Sequence, residues 1–148
     1  MNRSLVTETP DELLMNAERD IITVQVLLSK KFYPEDMMYI PICFHATQAV
    51  EKLLKSYIIN NGKKIEKTHN LNYLCKSATE IDISFETIKN DCVLLNDFVP
   101  GIKYGDDEPI VKQEMDNLIK SLNNVCDFSP IKSLRDLFKQ KHQFEIID

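Results

Sequence analysis

Phe44-His45-Ala46-Thr47-Gln48-Ala49-Val50-Glu51-Lys52-Leu53-Leu54-Lys55 is the stretch on which the reading of this chain turns. At 3.6 residues per turn, Cys43, Ala46, Thr47, Val50, Leu53, Leu54 and Tyr57 fall on one stripe, ample for packing a helix against a bundle core. The flanks are polar. Phe44, Gln48, Glu51 and Lys55 follow one another along one side, while His45, Lys52 and Ser56 line the other. Two readings stay open at this point. The flanks form a donor-rich recognition surface on a rigid element, or Glu51 and Lys55 are an ordinary i,i+4 pair worth a few tenths of a kcal/mol and His45 is a half-buried packing residue.

Outward from this helix the chain reads as helical throughout. Thr9-Pro10-Asp11 opens a first helix running to about Ser29, with proline in the first turn and acids at the positive dipole end. Leu13, Leu14, Ala17, Ile21, Val24 and Leu28 are its core positions. A loop through Phe32-Tyr33-Pro34 leads to the second helix, from about Asp36 to Asn60, with Pro41 tolerated near its start. Asn61-Gly62 supplies a left-handed stop. A third helix begins after Thr68 as N-cap and buries Leu71, Leu74, Cys75 and Ala78. The fourth, near Phe85 to Phe98, buries Phe85, Ile88, Cys92 and Leu95; the fifth, near Asp107 to Phe128, buries Val111, Met115, Leu118, Leu122 and Val125. Ser129-Pro130 breaks it, and Ile131, Leu134 and Phe138 suit a short sixth helix. With no strand signal or repeat, the fold expected is all-α: an up-and-down bundle of about five helices plus this C-terminal one.

Composition narrows the function. A chain of 148 residues with 43% hydrophobic content makes one domain able to bury a core without metal or disulfide help. Lys plus Arg number 18 against 23 Asp plus Glu, and a net charge of -5 argues against gripping duplex nucleic acid by bulk positive charge. Any nucleotide or RNA site must be local. The four cysteines, at 43, 75, 92 and 126, include no C-x-x-C pair and read as small buried hydrophobes, so neither zinc nor another cofactor is expected. Met1 to Thr7 is too short in apolar character for a signal peptide, and no run approaches bilayer-spanning length; the expected location is cytoplasmic, with no membrane partner.

The second helix, followed after Gly62 by Lys67-Thr68-His69-Asn70-Leu71, resembles the second helix and following loop of HEPN domains, which occur beside minimal nucleotidyltransferases and in many toxin systems. Ala17-Glu18-Arg19-Asp20-Ile21 is similar to the family's alanine, basic residue and aspartate before an apolar run. Ile102-Lys103-Tyr104-Gly105-Asp106 resembles its Thr-Arg-Tyr-Pro-Asp segment, with Lys for Arg and Gly for Pro. That change replaces a bidentate guanidinium contact with a point-charge phosphate contact. The resemblance covers most of residues 12 to 128 and leaves 129 to 148 as a C-terminal extension of a single domain.

The resemblance implies a nucleotide- or RNA-binding and interaction module of toxin–antitoxin type, homodimeric, partnered with a separate nucleotidyltransferase. Its ligand-binding residues would be His45, Gln48, Lys52, Lys55, His69, Lys103 and Tyr104. His69 has two readings: its ring donates to a phosphate beside the free first-turn amides, or it packs over the end of the second helix and satisfies a carbonyl. Many HEPN proteins are metal-independent ribonucleases whose last core helix carries Arg-x4-6-His, the arginine stabilising charge and the histidine activating the 2'-hydroxyl. Asp106 to Gln113, at the corresponding place, contains neither residue. Arg135 and His142 match the spacing further along, on a segment where fraying would oppose catalysis. An endoribonuclease using Arg135 and His142 is therefore the second reading, and a ligand-free dimerising scaffold the third.

Overall fold

The first helix is started by its own side chains. Thr9 Oγ1 accepts from the Glu12 amide at 3.1 Å and Glu12 Oε1 accepts from the Thr9 amide at 3.1 Å, a reciprocal capping box with Pro10 in the first turn. The computed structural model describes residues 4–99 and 109–147, and in it this helix, α1, spans Pro10–Leu28. The second, α2, spans Tyr39–Asn60, starting three residues later than Asp36 because residues 34–38 form turns, including Tyr39 N–H to Asp36 C=O at 3.1 Å. Pro41 thus lies in its first turn, where no intrahelical donor is lost. At the far end Gly62 takes φ +82°, its amide donating to Ile59 C=O at 2.9 Å and the Lys63 amide to Ile58 C=O at 3.3 Å. That pair of bonds is a Schellman stop.

The cap of α3, Leu71–Ile81, is Asn70 and not Thr68: Asn70 Oδ1 accepts from the Tyr73 amide at 3.0 Å, while Thr68 Oγ1 accepts from the Asn70 amide at 3.1 Å. The expected fourth helix divides. Asp82 caps a 3₁₀ segment, Ile83–Ile88, which passes into a short α4, Lys89–Asn96. The fifth, α5, spans Lys112–Asp127; Asp107 lies outside the described residues, and 109–111 are extended or irregular, with Val111 serving as N-cap. Val111 is accordingly 52% exposed instead of buried. Leu28, at the end of α1, is also exposed. Phe128 turns the chain at φ -61°, ψ 128°, and α6, Ser129–Lys141, follows.

Six α-helices, with one isolated bridge between Leu5 and Glu66, make this an all-α bundle among the described residues. Its centre is α2, which touches all five other helices and contributes Ala46, Ala49, Val50, Leu53 and Leu54 with no exposed surface. Each such leucine contributes roughly 2 kcal/mol of apolar burial. Tyr57, Phe85 and Phe128 stack in sequence, centroids 4.6 and 4.9 Å apart, tying α2 to the 3₁₀ segment and to the turn before α6. The expected fraying of the C-terminal segment is corrected for α6, where Ile131 and Phe138 are buried in the same core. No helix among the described residues is long and apolar enough to cross a membrane.

Candidate functional site

The polar flanks of α2 are organised by two buried carboxylates. Asp20, on α1, receives His45 Nδ1 on one oxygen at 2.8 Å and Lys52 Nζ on the other at 2.6 Å. His45 and Lys52 are seven apart and share a face of α2, so one carboxylate on the neighbouring helix spans both. Glu51, on α2 itself, receives Lys55 Nζ at 2.9 Å and His69 Nδ1 at 2.6 Å. His69 is brought there by the extended segment between the Gly62 turn and the Asn70 cap. Asp20, Glu51 and Lys55 are buried, His45 and Lys52 are part-exposed, and His69 is 72% exposed along its side chain.

A carboxylate only accepts, so each imidazole presents Nδ1 as N–H and keeps Nε2 for a further partner. Among the described residues neither Nε2 has one. Gln48 lies between the two sets on α2, half-buried, with no hydrogen bond from its amide to another described residue. Phe44 stands edge-on to His45, centroids 5.2 Å apart, and remains exposed. Of the seven residues expected from sequence, the structure thus brings His45 with Lys52 and Lys55 with His69, and puts Gln48 between them. The plain i,i+4 pairing of Glu51 and Lys55 is present, but buried and extended by His69. Lys103 and Tyr104 lie outside the described residues. Neither reading of His69 foresaw the Glu51 carboxylate as its partner.

Asp20 was missing from the expected site. Its signal was a carboxylate beside Ala17, Ile21 and Val24 on the apolar stripe of α1, a place where a charge needs a partner.

Arg135 and His142 are used differently. Arg135 Nε and Nη2 donate to Glu18 Oε1 and Oε2 at 2.6 and 3.2 Å, and Nη1 donates to Cys126 C=O at 3.3 Å. Burial is the largest single influence and weakens its protonation, but the Glu18 hydrogen bonds together with the nearby negative charges, Glu18 and Asp127 among them, outweigh it and its pKa is raised. His142 ends α6, stacked on Phe138 at 4.6 Å, with Nε2 3.6 Å from Asp11 Oδ2. Asp11 and Glu18 are spaced on α1 as Arg135 and His142 are on α6. The arginine-histidine spacing is therefore the register of two antiparallel helices, each basic side chain meeting an acid across the seam. The guanidinium that phosphoryl chemistry would need is already held on both prongs.

Among the described residues no three His, Cys, Asp or Glu side chains are grouped to hold a metal ion. Two buried carboxylates thus order His45, Lys52 and Lys55 of the central helix and His69 of the loop that follows it. The HEPN domain family model matches residues 11–134, and the chain belongs to that family. The match runs past residue 128 into the first half of α6. It associates the chain in general terms with nucleotide- and RNA-related modules. No curated protein and no solved structure gives a match.

Proposed function

We propose that this protein is a nucleotide- or RNA-binding and interaction module that works beside a separate nucleotidyltransferase, in the manner of a toxin–antitoxin pair. The observation that carries the reading is the pair of carboxylate-anchored sets that α2 shares with α1 and with the loop after Gly62. Asp20 and Glu51 fix His45, Lys52, Lys55 and His69 without using up the outer ring nitrogens, so the donors are oriented before a ligand arrives. A phosphate-bearing ligand would take hydrogen bonds from the lysines, and from His69 Nε2 when the ring is an imidazolium, with Gln48 and Tyr104 orienting it and Lys103 adding a point charge. The bidentate Glu18–Arg135 pair favours this reading over the ribonuclease.

Homodimerisation is part of the proposal. Val26, Leu28, Phe32, Tyr33, Met37 and Ile40 are all substantially exposed between the second half of α1 and the first turn of α2, more apolar surface in one short span than a lone bundle needs. ATP or a short RNA titrated against wild type and a Lys52→Ala, Lys103→Ala double variant tests the ligand site. Affinity should fall in the variant and in rising salt; equal affinities would remove these residues from the site.

A further inference from the structure

Phe44 is the one large apolar side chain of α2 after Ile40 that stays exposed, with 40% of its surface open, while Ile42, Val50, Leu53, Leu54 and Ile58 are buried. A single exposed apolar residue is ordinary; the surroundings of this one are not. Its ring stands nearly perpendicular to that of His45, at an interplanar angle of 78° with centroids 5.2 Å apart. His45 Nδ1 is fixed by one Asp20 oxygen at 2.8 Å, and the other Asp20 oxygen holds Lys52 Nζ at 2.6 Å. One imidazole and one carboxylate thus separate an exposed aromatic ring from an ordered ammonium, as one sugar separates base from phosphate in a nucleotide. Gln48 lies one turn after Phe44 on the same face, and its amide, which bonds to no other described residue, carries both a donor and an acceptor for the edge of a ring lying on Phe44.

We propose that Phe44 is a stacking platform for an unpaired nucleobase whose phosphate lies at Lys52. The platform deepens the nucleotide- or RNA-binding reading, on which it rests, by naming what the ligand must carry: a free base face as well as a phosphate. A free nucleotide and a single strand have both. A bare polyphosphate has no base, and in a duplex the base faces are already covered by their neighbours. Every base has a π face, so stacking on Phe44 adds affinity without choosing among bases; choice is left to the hydrogen-bonding groups of Gln48 and His45 Nε2. Stacking also needs no bulk positive charge, which suits a chain of net charge -5.

Calorimetric titration of wild type, Phe44→Tyr, Phe44→Leu and Lys52→Ala with ATP, a single-stranded oligoribonucleotide, the same strand in duplex form and inorganic tripolyphosphate tests the proposal. Phe44→Leu keeps an apolar side chain without the ring, and should bind ATP or the single strand about tenfold more weakly, whereas Phe44→Tyr should stay within about twofold of wild type. Tripolyphosphate should bind wild type and Phe44→Leu equally and Lys52→Ala more weakly. A loss seen with ATP identifies a free nucleotide as the source of the base, and a loss seen with the strand alone identifies RNA; either supports the platform. Equal affinities of wild type and Phe44→Leu for ATP and the strand, with Lys52→Ala weakened, leave the binding reading standing and overturn the platform. Failure of every probe to bind wild type overturns both. Duplex binding as tight as that of the single strand, or an equal fall for tripolyphosphate in Phe44→Leu, also overturns the platform. Ile40, one turn before Phe44, is exposed too, so light scattering completes the test: a monomeric Phe44→Leu beside a dimeric wild type would assign the ring to the contact between copies and overturn the stacking role.

Discussion

Replacing Arg135 with alanine should unfold the protein more readily, and the size of the effect separates a structural arginine from a catalytic one. Glu18 is 2% exposed and its two oxygens take Nε and Nη2 of Arg135. Removing the guanidinium strands that carboxylate, with Lys139 Nζ at 3.7 Å as the remaining cation. Breaking a buried pair from one side costs about 3–5 kcal/mol. The Arg135 side chain keeps 12% exposure and Lys139 offers partial compensation, so the low end applies, about 3 kcal/mol. For a domain of this size that lowers Tm by roughly 10 °C. Urea denaturation of wild type, Arg135→Ala, Glu18→Leu and the combined Glu18→Leu, Arg135→Met variant measures it. The combined variant should recover much of the loss, because neither charge is then left alone. A loss below about 1 kcal/mol in Arg135→Ala, the level of an exposed ion pair, would refute the argument.

Three other outcomes follow. Wild-type protein incubated without metal should leave structured and single-stranded RNA intact; cleavage that disappears in His142→Ala, a change at the exposed end of α6, would bring the ribonuclease reading forward. Light scattering at micromolar concentration should give about twice 17.2 kDa, and a mass near 17.2 kDa would count against the dimer. Stability should fall as pH rises above about 9, because burial holds the Cys126 thiol protonated up to about 11 in the folded chain while the unfolded thiol ionises near 9. The folded state then binds the extra proton, so Cys126 contributes its full stabilisation below pH 9 and loses it on the way to pH 11, roughly 2–3 kcal/mol in all. Cys126→Ala should flatten that alkaline slope, and an unchanged slope would show that other groups set it.

Local signals carried most of the fold. The apolar stripes of α1, α2 and α5 follow helical spacing without ambiguity, and the Gly62 and Pro130 breaks act within one or two residues of where their chemistry places them. What local signals could not settle was choice among competing caps. Thr68 and Asn70 can each start α3; Asn70 does so while the next amide, that of Leu71, donates 2.9 Å to Asn96 Oδ1 from the end of α4. Likewise Asp82 begins the 3₁₀ segment by accepting from Ser84, three residues ahead of the start expected at Phe85. The site divides the same way. His45, Lys52 and Lys55 were legible as the polar flanks of one helix and His69 as part of the loop after it, but Asp20 is 25 residues from His45 and 32 from Lys52, and Glu51 is 18 from His69. Such pairings are properties of the packed bundle.

The carboxylates change what kind of affinity this face can have. A free lysine attracts phosphate by charge and releases a counterion when it binds, which steepens the salt dependence by nearly one unit per contact. Lys52 and Lys55 already have Asp20 and Glu51 at 2.6 and 2.9 Å, so an arriving anion shares a cation instead of neutralising a free one. The charge of the face is therefore smaller than its count of basic residues, in keeping with a chain of net charge -5. What the carboxylates supply in exchange is order: a buried acid holds a histidine and a lysine in each set, and the rotamer freedom that a ligand would otherwise remove on binding is already gone. Recognition built this way depends on hydrogen-bond geometry at the imidazoles and at Gln48. On the proposed reading it would discriminate among ligands by shape and donor pattern, and it would weaken with salt less steeply than binding through unpaired lysines.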